Sequence, residues 1–354
     1  MTTPSPAQQI AAQIKELQSK VIDLQGKVRL SSVRDSIEDL QTTVTGLGQR
    51  ITTLRTRGYV FGKDLESQAK TLADGWIKLY PSLGAQVSVQ ANTLAAAIRP
   101  VETQMTQLVA AGANPLGARS LLNSAQAAVS QLEGKVEAAE RAIEGMFDQY
   151  ESQVGSFKRT LDAVDAMLTN LAEASFQLLP TEGGIAAVKA VWCKAGKEQK
   201  DDPEGVLFLT DQRLLFEQKE EVATKKVLFV ATEKKKMQSL QWEVPVAQID
   251  KISTSKQGIL KNEDHIEVRF LPGAALEMAH LHIWQDNATW QSNLNQARAR
   301  EFDKDRAVAI DQAAIDKVKA APSQCPSCGG NLSKVVLRGQ DSIKCEYCGF
   351  IIRL

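Results

Sequence analysis

The sequence has no excess of charge of either sign. Its 354 residues include 42 Lys and Arg against 42 Asp and Glu, a formal net charge of zero at pH 7. A broad nucleic-acid-binding surface needs concentrated positive charge, because each neutralised phosphate requires a basic partner. The balance therefore argues against nucleic acid as a partner, although it leaves room for a small basic patch.

Long apolar runs are also missing. No stretch approaches the roughly 20 apolar residues needed to cross a bilayer. The first residues, MTTPSPAQQ, have neither the basic nor the apolar region of a secretory signal. We therefore expect a cytoplasmic protein, with a peripheral position at the inner membrane face as the alternative.

Histidine is scarce, and the sequence has no phosphate-binding loop, dinucleotide fingerprint or G-x-S-x-G nucleophile elbow. His265 lies in a predicted polar turn. His280 and His282 alternate along a predicted strand, so they share one face, which we interpret as half-exposed; with a carboxylate they could instead hold a metal. With so few acid–base candidates, we expect a protein that is not an enzyme.

Four of the five cysteines form two C-x-x-C pairs, Cys325 with Cys328 and Cys345 with Cys348, separated by sixteen residues. This spacing lets two turns bring four thiolates to the corners of a tetrahedron, the geometry that Zn²⁺ prefers. We predict a zinc ribbon, and a structural zinc ion, because all four ligands come from the protein. The fifth cysteine, Cys193, is interpreted as a small buried apolar side chain.

The role of the ribbon stays open at this point. It could be a recognition surface for protein or nucleic acid, or it could stabilise a segment too short to bury an adequate core. Lys334, Arg338, Lys344 and Arg353 give it a mildly basic surface. We interpret these four side chains as ordinary solubilising residues.

The first half of the chain has the heptad pattern of long helices. Apolar residues recur at alternate steps of four and three, which places one narrow seam on each helix. The pattern runs through Ile10, Ile14, Leu17, Val21, Leu24 and Val28, then Val33, Ile37, Leu40, Val44, Leu47, Ile51 and Leu54, and later Val129, Leu132, Val136, Ala139, Ile143, Met146 and Tyr150. The step of five between the first two runs predicts a kink or a tight hairpin at Leu30-Ser31-Ser32.

Prolines divide this half further. Pro81 is expected to interrupt a second helical stretch, and Pro100 to kink it. Asn114 is the predicted N-cap of a third helix that starts at Pro115, runs to about Phe176 and would be roughly 90 Å long. We expect an antiparallel bundle within one chain, since three segments of similar length are joined by short breaks; a homo-oligomeric coiled coil is the alternative.

The second half changes to short runs of β-branched and aromatic residues between turn signals, which predicts antiparallel strands. The predicted strands are Ala187–Cys193, Val206–Leu209, Arg213–Glu217, Lys226–Val230, Ser239–Val244, Ile249–Thr254, Ile266–Phe270 and Met278–Trp284. A helix from Asn287 to about Arg306 is predicted to follow, with Trp290, Leu294 and Ala297 on one face.

Two motifs in this half resemble a known family. The segment 205–216, GVLFLTDQRLLF, is similar to the hairpin motif of GRAM and bacterial pleckstrin-homology-like domains, and 242–252, WEVPVAQIDKI, is similar to a later strand and turn of that family. The resemblance covers about residues 185–305. It implies a β-barrel closed by a C-terminal helix, in a fold that serves lipid-binding, peptide-binding and purely structural roles.

The sequence departs from that family in a long basic segment that contains Lys234, Lys235 and Lys236, which we place at a hairpin tip. These lysines could contact anionic lipid headgroups, at about 1 kcal/mol per basic residue near the membrane. Alternatively they form a solvated loop that protects a sheet edge from aggregation, an interpretation favoured by nearby glutamates.

Together these patterns predict a multidomain α plus β protein. A coiled-coil bundle spans residues 5–178, a pleckstrin-homology/GRAM-like β domain 185–306, a helix and linker 307–324, and the zinc ribbon 325–354. We expect a cytoplasmic adaptor or scaffold whose helices self-associate or bind a protein partner, and whose β domain and ribbon are docking modules. A peripheral membrane assembly protein and a nucleic-acid-binding ribbon are the alternatives.

Overall fold

The computed structural model describes residues 5–112, 115–227, 230–258, 260 and 262–354. The chain divides into two compact units, Met1–Gly48 with Ser67–Lys158, and Gln49–Glu66 with Arg159–Leu354. Long helices, a seven-stranded antiparallel sheet and a small cysteine-rich C-terminal sheet confirm the multidomain α plus β class. None of the described helices is long and apolar enough to cross a bilayer. The domain bounds derived from the sequence stay predictions.

Five long helices form the first half: α1 (Pro6–Lys27), α2 (Ser31–Thr56), α3 (Leu65–Ala111), α4 (Pro115–Glu144) and α5 (Asp148–Ala172). The side chain of Ser5 accepts a hydrogen bond from the Gln8 N–H, while the Gln8 side chain accepts one from the Ser5 N–H, so a capping box starts α1. The predicted break between α1 and α2 is confirmed. Leu30 lies there, fully buried, with a φ of 54°.

The heptad seams of the first unit pack against one another in one core. Trp76 lies within it; its indole N–H donates to the Gln41 side chain over 2.6 Å, and its ring stacks on Tyr150. The core is therefore formed within one chain, as in the predicted bundle, and homo-oligomerisation stays a prediction. The core residues include Ile14, Leu17, Val21, Leu24, Val33, Ile37, Leu40, Val44, Leu94, Ile98, Val101, Met105, Leu108, Val129, Leu132, Val136 and Ile143.

The predicted interruption at Pro81 is wrong, because α3 continues through both Pro81 and Pro100 for 47 residues. A proline removes one backbone hydrogen bond from a helix interior. On the C-terminal side of Pro81, however, Leu83 and Val87 are buried in the bundle core. Such packing stabilises a helix more than local propensity does, so it outweighs one missing bond.

The predicted third helix is in fact two helices. α4 ends at Glu144 and α5 begins at Asp148, with a turn at Gly145–Phe147, so the single helix of roughly 90 Å is wrong. Gly145 is a weak helix former, and the turn changes which side chain faces the core. Met146, a predicted seam residue, is 40% exposed, whereas Phe147 is 2% exposed. The predicted N-cap, Asn114, lies outside the described residues.

The β half is one antiparallel sheet in which two meanders, β1 to β4 and β5 to β7, are joined by the pairing of β1 with β7. It contains β1 (Gly184–Trp192), β2 (Glu204–Thr210), β3 (Arg213–Val227), β4 (Val230–Pro245), β5 (Ile249–Gln257), β6 (Glu263–Phe270) and β7 (Met278–Ile283), in the order β4-β3-β2-β1-β7-β6-β5. Val227 pairs with Val230, so the predicted separate strand Lys226–Val230 is instead the junction of β3 and β4.

Helix α6 (Asn287–Arg298) packs against β5, β6 and the 3-10 helix Val246–Gln248. Trp290 and Leu294 are fully buried in the sheet core. A β sheet covered by a following helix agrees with the layout that the resemblance implies, whereas closure of the sheet into a barrel stays a prediction, because β4 and β5 are its two outer strands. The helix ends earlier than the predicted Arg306, because Arg300 adopts a left-handed φ of 57° before the 3-10 helix Glu301–Asp305. Helix α7 (Gln312–Ala320) and the strands β8 (Ser342–Lys344) and β9 (Ile351–Arg353) complete the fold.

The turn between α4 and α5 provides a test of the corrected seam. Phe147→Ala removes a buried ring, so we expect a loss of about 3–5 kcal/mol in the free energy of unfolding. Met146→Ala removes a half-exposed side chain and should change it by about 0.5 kcal/mol or less. Chemical denaturation followed by circular dichroism measures both; equal losses would contradict the turn.

Candidate metal centre

The four cysteines of the two C-x-x-C pairs come together in the C-terminal segment. In each pair a glycine with positive φ, Gly329 at 73° and Gly349 at 74°, follows the second cysteine and lets the chain turn tightly. The Gly329 N–H donates to the Cys325 carbonyl over 2.8 Å, and the Gly349 N–H donates to the Cys345 carbonyl over 3.0 Å. Both turns thus direct their sulfurs to one point.

The sulfur positions fit a metal and do not fit disulfides. Cys325 Sγ lies 3.7 Å from Cys348 Sγ, Cys328 Sγ lies 3.7 Å from Cys345 Sγ, and all four lie within 4.8 Å of one another. A disulfide needs about 2.05 Å. A tetrahedral ion with metal–sulfur bonds of about 2.3 Å separates its sulfurs by about 3.8 Å. The four thiolates can therefore hold one metal ion with little movement.

Protons are distributed unevenly over these thiols. A hydrogen bond from the Cys348 N–H, opposed by burial, lowers the pKa of the Cys345 thiol to about 7. The Gly330 N–H favours the thiolate of Cys328, but hydrogen bonds with the other thiols outweigh it and raise its pKa to about 12. A metal that binds all four sulfurs must displace the remaining protons, so its affinity falls as the pH falls.

The apolar core of the ribbon is very small. Beside Cys325 and Cys345, its buried residues are Ile343 and Ile352, on the paired strands β8 and β9. A segment of this size cannot bury enough apolar surface to fold by itself. The ribbon therefore needs further support, which its contact with the β domain provides and which a metal held by the four thiolates would add.

That contact is centred on Asp211, at the turn between β2 and β3. Its carboxylate accepts hydrogen bonds from Arg338 of the ribbon at 2.6 Å, from Arg306 at 2.6 Å and from the Gly183 N–H at 2.9 Å. Arg338 also pairs with Asp303 at 3.1 Å. The Asp211 side chain is 2% exposed and the Arg338 side chain 12% exposed, so these pairs are largely shielded from water.

The neighbouring residue, Gln212, extends the contact. Its side-chain oxygen accepts from the Arg338 backbone N–H over 2.6 Å, and its side-chain amide donates to the Arg338 carbonyl over 3.1 Å. The backbone N–H and the backbone carbonyl of Arg338 are thus both paired with the side chain of Gln212. This reciprocal pairing fixes the orientation of the ribbon as well as its distance.

The family-like hairpin motif also serves as a structural anchor. Thr210 accepts from the Arg213 N–H over 2.7 Å and donates to Glu182 over 2.6 Å, as expected for a tight turn. The Arg213 guanidinium pairs with Glu182 at 2.6 Å and with Glu243 at 2.5 Å. The motif is therefore largely occupied by internal hydrogen bonds.

A cleft of about 560 Å³ lies beside the docked ribbon. One wall is the ribbon segment 335–337, and another is formed by α7 and the chain before it. Its half-buried apolar residues are Ile310, Ile315, Val318, Val335, Val336 and Leu337. Arg298, Arg300 and Lys319 lie at its exposed rim. Because the ribbon supplies one wall, the cleft depends on the Asp211 contact.

The predicted lipid-contact lysines lie elsewhere than expected. Lys234, Lys235 and Lys236 are within β4, opposite residues 223, 222 and 221 of β3, so their placement at the hairpin tip is wrong. The side chains of Lys234 and Lys235 lie outside the described residues, and Lys236 is exposed. The prediction fails because β3 continues to Val227 instead of ending near Glu217, so the three lysines lie opposite β3 and not in the connection between the strands.

Several polar residues have other environments than the sequence indicates. His280 and His282 are buried, each 8% exposed, and His265 lies within β6 instead of in a polar turn. The burial predicted for Cys193 is confirmed.

Arg338 is a docking residue and Lys334 lies 3.7 Å from Glu346, so two of the four basic ribbon residues have acidic partners. A long-range contact such as Arg338 with Asp211 leaves no local sequence pattern.

Because Asp211 holds two guanidinium groups, we expect a substitution that removes only its charge to lower stability strongly. Asp211→Asn leaves two buried guanidinium groups without their shared charge, so we expect a loss of about 3–5 kcal/mol in the free energy of unfolding of the second unit. Asp201→Asn, at an exposed site, is the control. Denaturation measures stability, and limited proteolysis of residues 307–324 measures docking of the ribbon. Equal results for the two variants would contradict the role of Asp211 in both.

No protein-family model matches the chain, and no curated protein matches it at a significant level. Solved structures similar to it include human RhoA in complex with a DH/PH fragment of PDZRhoGEF, with 10% identity over 84% of this chain and 96% of that chain, at a TM-score of 0.24. The DH/PH domains of p115-RhoGEF match with 13% identity over 84% of this chain and 95% of that one, at a TM-score of 0.21. Likenesses at such TM-scores carry no functional argument.

Proposed function

We propose that this protein is a non-enzymatic adaptor, and that its second unit binds a protein segment in the cleft between the ribbon and the GRAM-like β domain. The observation that carries this proposal is the construction of the cleft. Its ribbon wall is held in place by buried ion pairs of Asp211. A merely solubilising tail would not need an oriented, shielded contact of this kind.

The chemistry of the cleft defines its ligand. The walls offer apolar side chains from α7 and from the ribbon, which favour apolar anchors in the ligand. Asp211 and Asp303 are already paired, whereas Arg300 and Lys319 lie exposed at the rim. The rim is therefore basic toward an incoming chain. A short segment with alternating apolar and acidic residues is complementary to both parts.

The metal in this proposal is Zn²⁺, in a structural role. Four thiolates at tetrahedral distances select a borderline-soft ion without a need for redox chemistry. With all four positions taken by protein sulfur, no position is left for a substrate. Zinc would then act on binding only indirectly, by keeping the ribbon folded against Asp211.

A second candidate function rests on the β3–β4 hairpin. β2 pairs with β3 only from Leu214 to Gln218, so the rest of β3 is paired with β4 alone. The two strands extend beyond the sheet and carry lysines on both of them, with glutamates interleaved. Such an arm could contact an anionic membrane, which would make the protein a peripheral membrane assembly factor.

Peptide binding tests the first function. Fluorescently labelled peptides that alternate Leu with Glu should bind the full chain, and peptides that alternate Leu with Lys should not. Arg300→Glu with Lys319→Glu should weaken binding at least tenfold, since two attractive charges become repulsive. Lys200→Glu with Lys251→Glu, at two exposed positions outside the cleft, is the charge-matched control.

The metal dependence is measured in the same titration. Cys345→Ser with Cys348→Ser removes two ligands, and this variant should lose peptide binding while the β sheet keeps its circular dichroism signal. Binding that survives both the charge reversal and the loss of the ribbon would refute the cleft as the docking site.

Liposome sedimentation tests the second function. If the arm contacts membranes, the full chain should sediment with vesicles containing anionic phosphatidylserine at low salt and be released as the salt concentration rises. The triple variant Lys234→Ala, Lys235→Ala, Lys236→Ala should sediment less, while Lys251→Ala serves as control. No sedimentation of the wild-type chain would exclude the membrane role.

A further inference from the structure

A second cluster of metal-binding side chains lies far from the ribbon in the sequence. Cys193 follows β1, His265 is in β6, and His280 is in β7, which pairs with both of these strands. The Cys193 N–H donates to the His280 carbonyl over 2.8 Å. The strand alternation of β7 directs Leu281 and Ile283 into the sheet core, so His280 lies on the opposite face.

This face is covered, although it is not the main core. Cys193 is 2%, His265 1% and His280 8% exposed. The Nδ1 of His265 lies 3.1 Å from the Nε2 of His280, and one donor atom from each of the three residues lies within 4.8 Å of the others. A thiol and two imidazoles thus converge inside the protein.

Hydrogen bonding alone does not satisfy this cluster. One imidazole can donate to the other between His265 Nδ1 and His280 Nε2, but the buried Nε2 of His265 has no hydrogen-bond partner among the residues that the structure describes. Burial lowers the pKa of both histidines. Burial thus disfavours the charged form of both rings, and a neutral imidazole has a lone pair on one ring nitrogen.

We infer that Cys193, His265 and His280 form a second metal site, which binds a borderline-soft divalent transition-metal ion such as Zn²⁺. The 3.1 Å between the two nitrogens is close to the roughly 3.3 Å that a tetrahedral ion with metal–nitrogen bonds of about 2.05 Å imposes. The sulfur and two nitrogens exclude Mg²⁺ and Ca²⁺, which prefer oxygen ligands.

The outer nitrogens of both histidines support this assignment. The His265 Nε2 lies 3.8 Å from a carboxylate oxygen of Glu263, and the His280 Nδ1 lies 3.9 Å from one of Glu267. Metal-bound histidines typically direct the second ring nitrogen to a carboxylate, which fixes the tautomer and raises ligand basicity. A metal on Nδ1 would place the proton of His265 on Nε2, toward Glu263, and so give the unpartnered atom a role.

The charges at the site also balance. Burial raises the pKa of the Cys193 thiol to about 11. Binding of M²⁺ displaces this proton to solvent, so the metal and thiolate together add a charge of +1. Glu263 and Glu267 face the two histidines, and Glu198 pairs with the adjacent His282 at 2.5 Å. These carboxylates compensate the added positive charge.

His282 and Glu198 close the site on one side. The His282 ring stacks on His265 with centroids 4.7 Å apart and on Trp284 at 4.2 Å. Glu198 belongs to the loop between β1 and β2, in which Asp202 accepts from the N–H groups of Lys194 and Gln199. The covering loop is thus held by its own hydrogen bonds before any metal binds.

Metal stoichiometry of the full chain tests the inference. After removal of bound metal, titration with Co²⁺ followed by absorption spectroscopy should show two equivalents per chain. One has the strong charge-transfer band of four thiolates, and the other has the weaker band of a single thiolate. Cys345→Ser with Cys348→Ser should abolish the first, and Cys193→Ser or His280→Gln the second.

Glu198→Gln is the matched control, because it changes the neighbouring pair and keeps all three ligands; it should still bind two equivalents. A wild-type chain that binds a single equivalent, which the ribbon variant loses completely, would overturn the inference without recourse to any variant of the buried cluster. Loss of the second equivalent in Glu198→Gln, together with its retention in Cys193→Ser, would also overturn the proposed ligand set.

Discussion

The ribbon of this protein depends on one carboxylate. Asp211 accepts from guanidinium groups that lie 95 and 127 residues further along the chain, and its own side chain is almost completely buried. Burial of a charge is costly unless several donors surround it. Here two arginines and one backbone N–H do so. The ribbon is thereby fixed to the β domain through charge and geometry, since its apolar core is too small to provide a large contact.

Two different kinds of stabilisation therefore meet in the second unit. The β domain has an ordinary apolar core, in which Trp290 and Leu294 of α6 cover the sheet. The ribbon instead relies on interactions with strict geometry, namely ion pairs outside and, when its four thiolates hold a metal, metal–thiolate bonds inside. Such bonds are sensitive to pH and to chelators, whereas apolar packing is much less so. Because the ribbon forms one wall of the cleft, the shape of the cleft is sensitive to the same changes.

Local patterns predicted the parts of this structure that are set by local spacing. The heptad seams, the C-x-x-C pairs and the strand alternation each repeat over a few residues, and the corresponding cores contain those residues. The local patterns mispredict the structure where two local preferences compete. Helix α3 continues through Pro81, and the turn at Gly145 places Phe147 in the core instead of the predicted Met146. In both places the structure is determined by packing between helices that are far apart in the sequence, and a single sequence does not show which helices pack together.

The candidate sites divide in the same way. The four ribbon cysteines were predictable because their spacing is local. The role of Arg338 was not, because its partners, Asp211 and Asp303, come from other elements. His280 and His282 alternate as a strand surface would, yet both are buried, and Glu198 of the loop between β1 and β2 contacts His282. The register of the long β3–β4 hairpin likewise depends on where β3 ends, which its mixed charges do not reveal.

The position of the ribbon also has a consequence for the order of events during synthesis. Segments that leave the ribosome first generally fold first, so the sheet and α6 can form before residues 325–354 have emerged. The cleft gains its ribbon wall only when residues 325–354 have folded onto Asp211. A chain whose ribbon has not folded would thus have a complete sheet but lack one wall of the cleft.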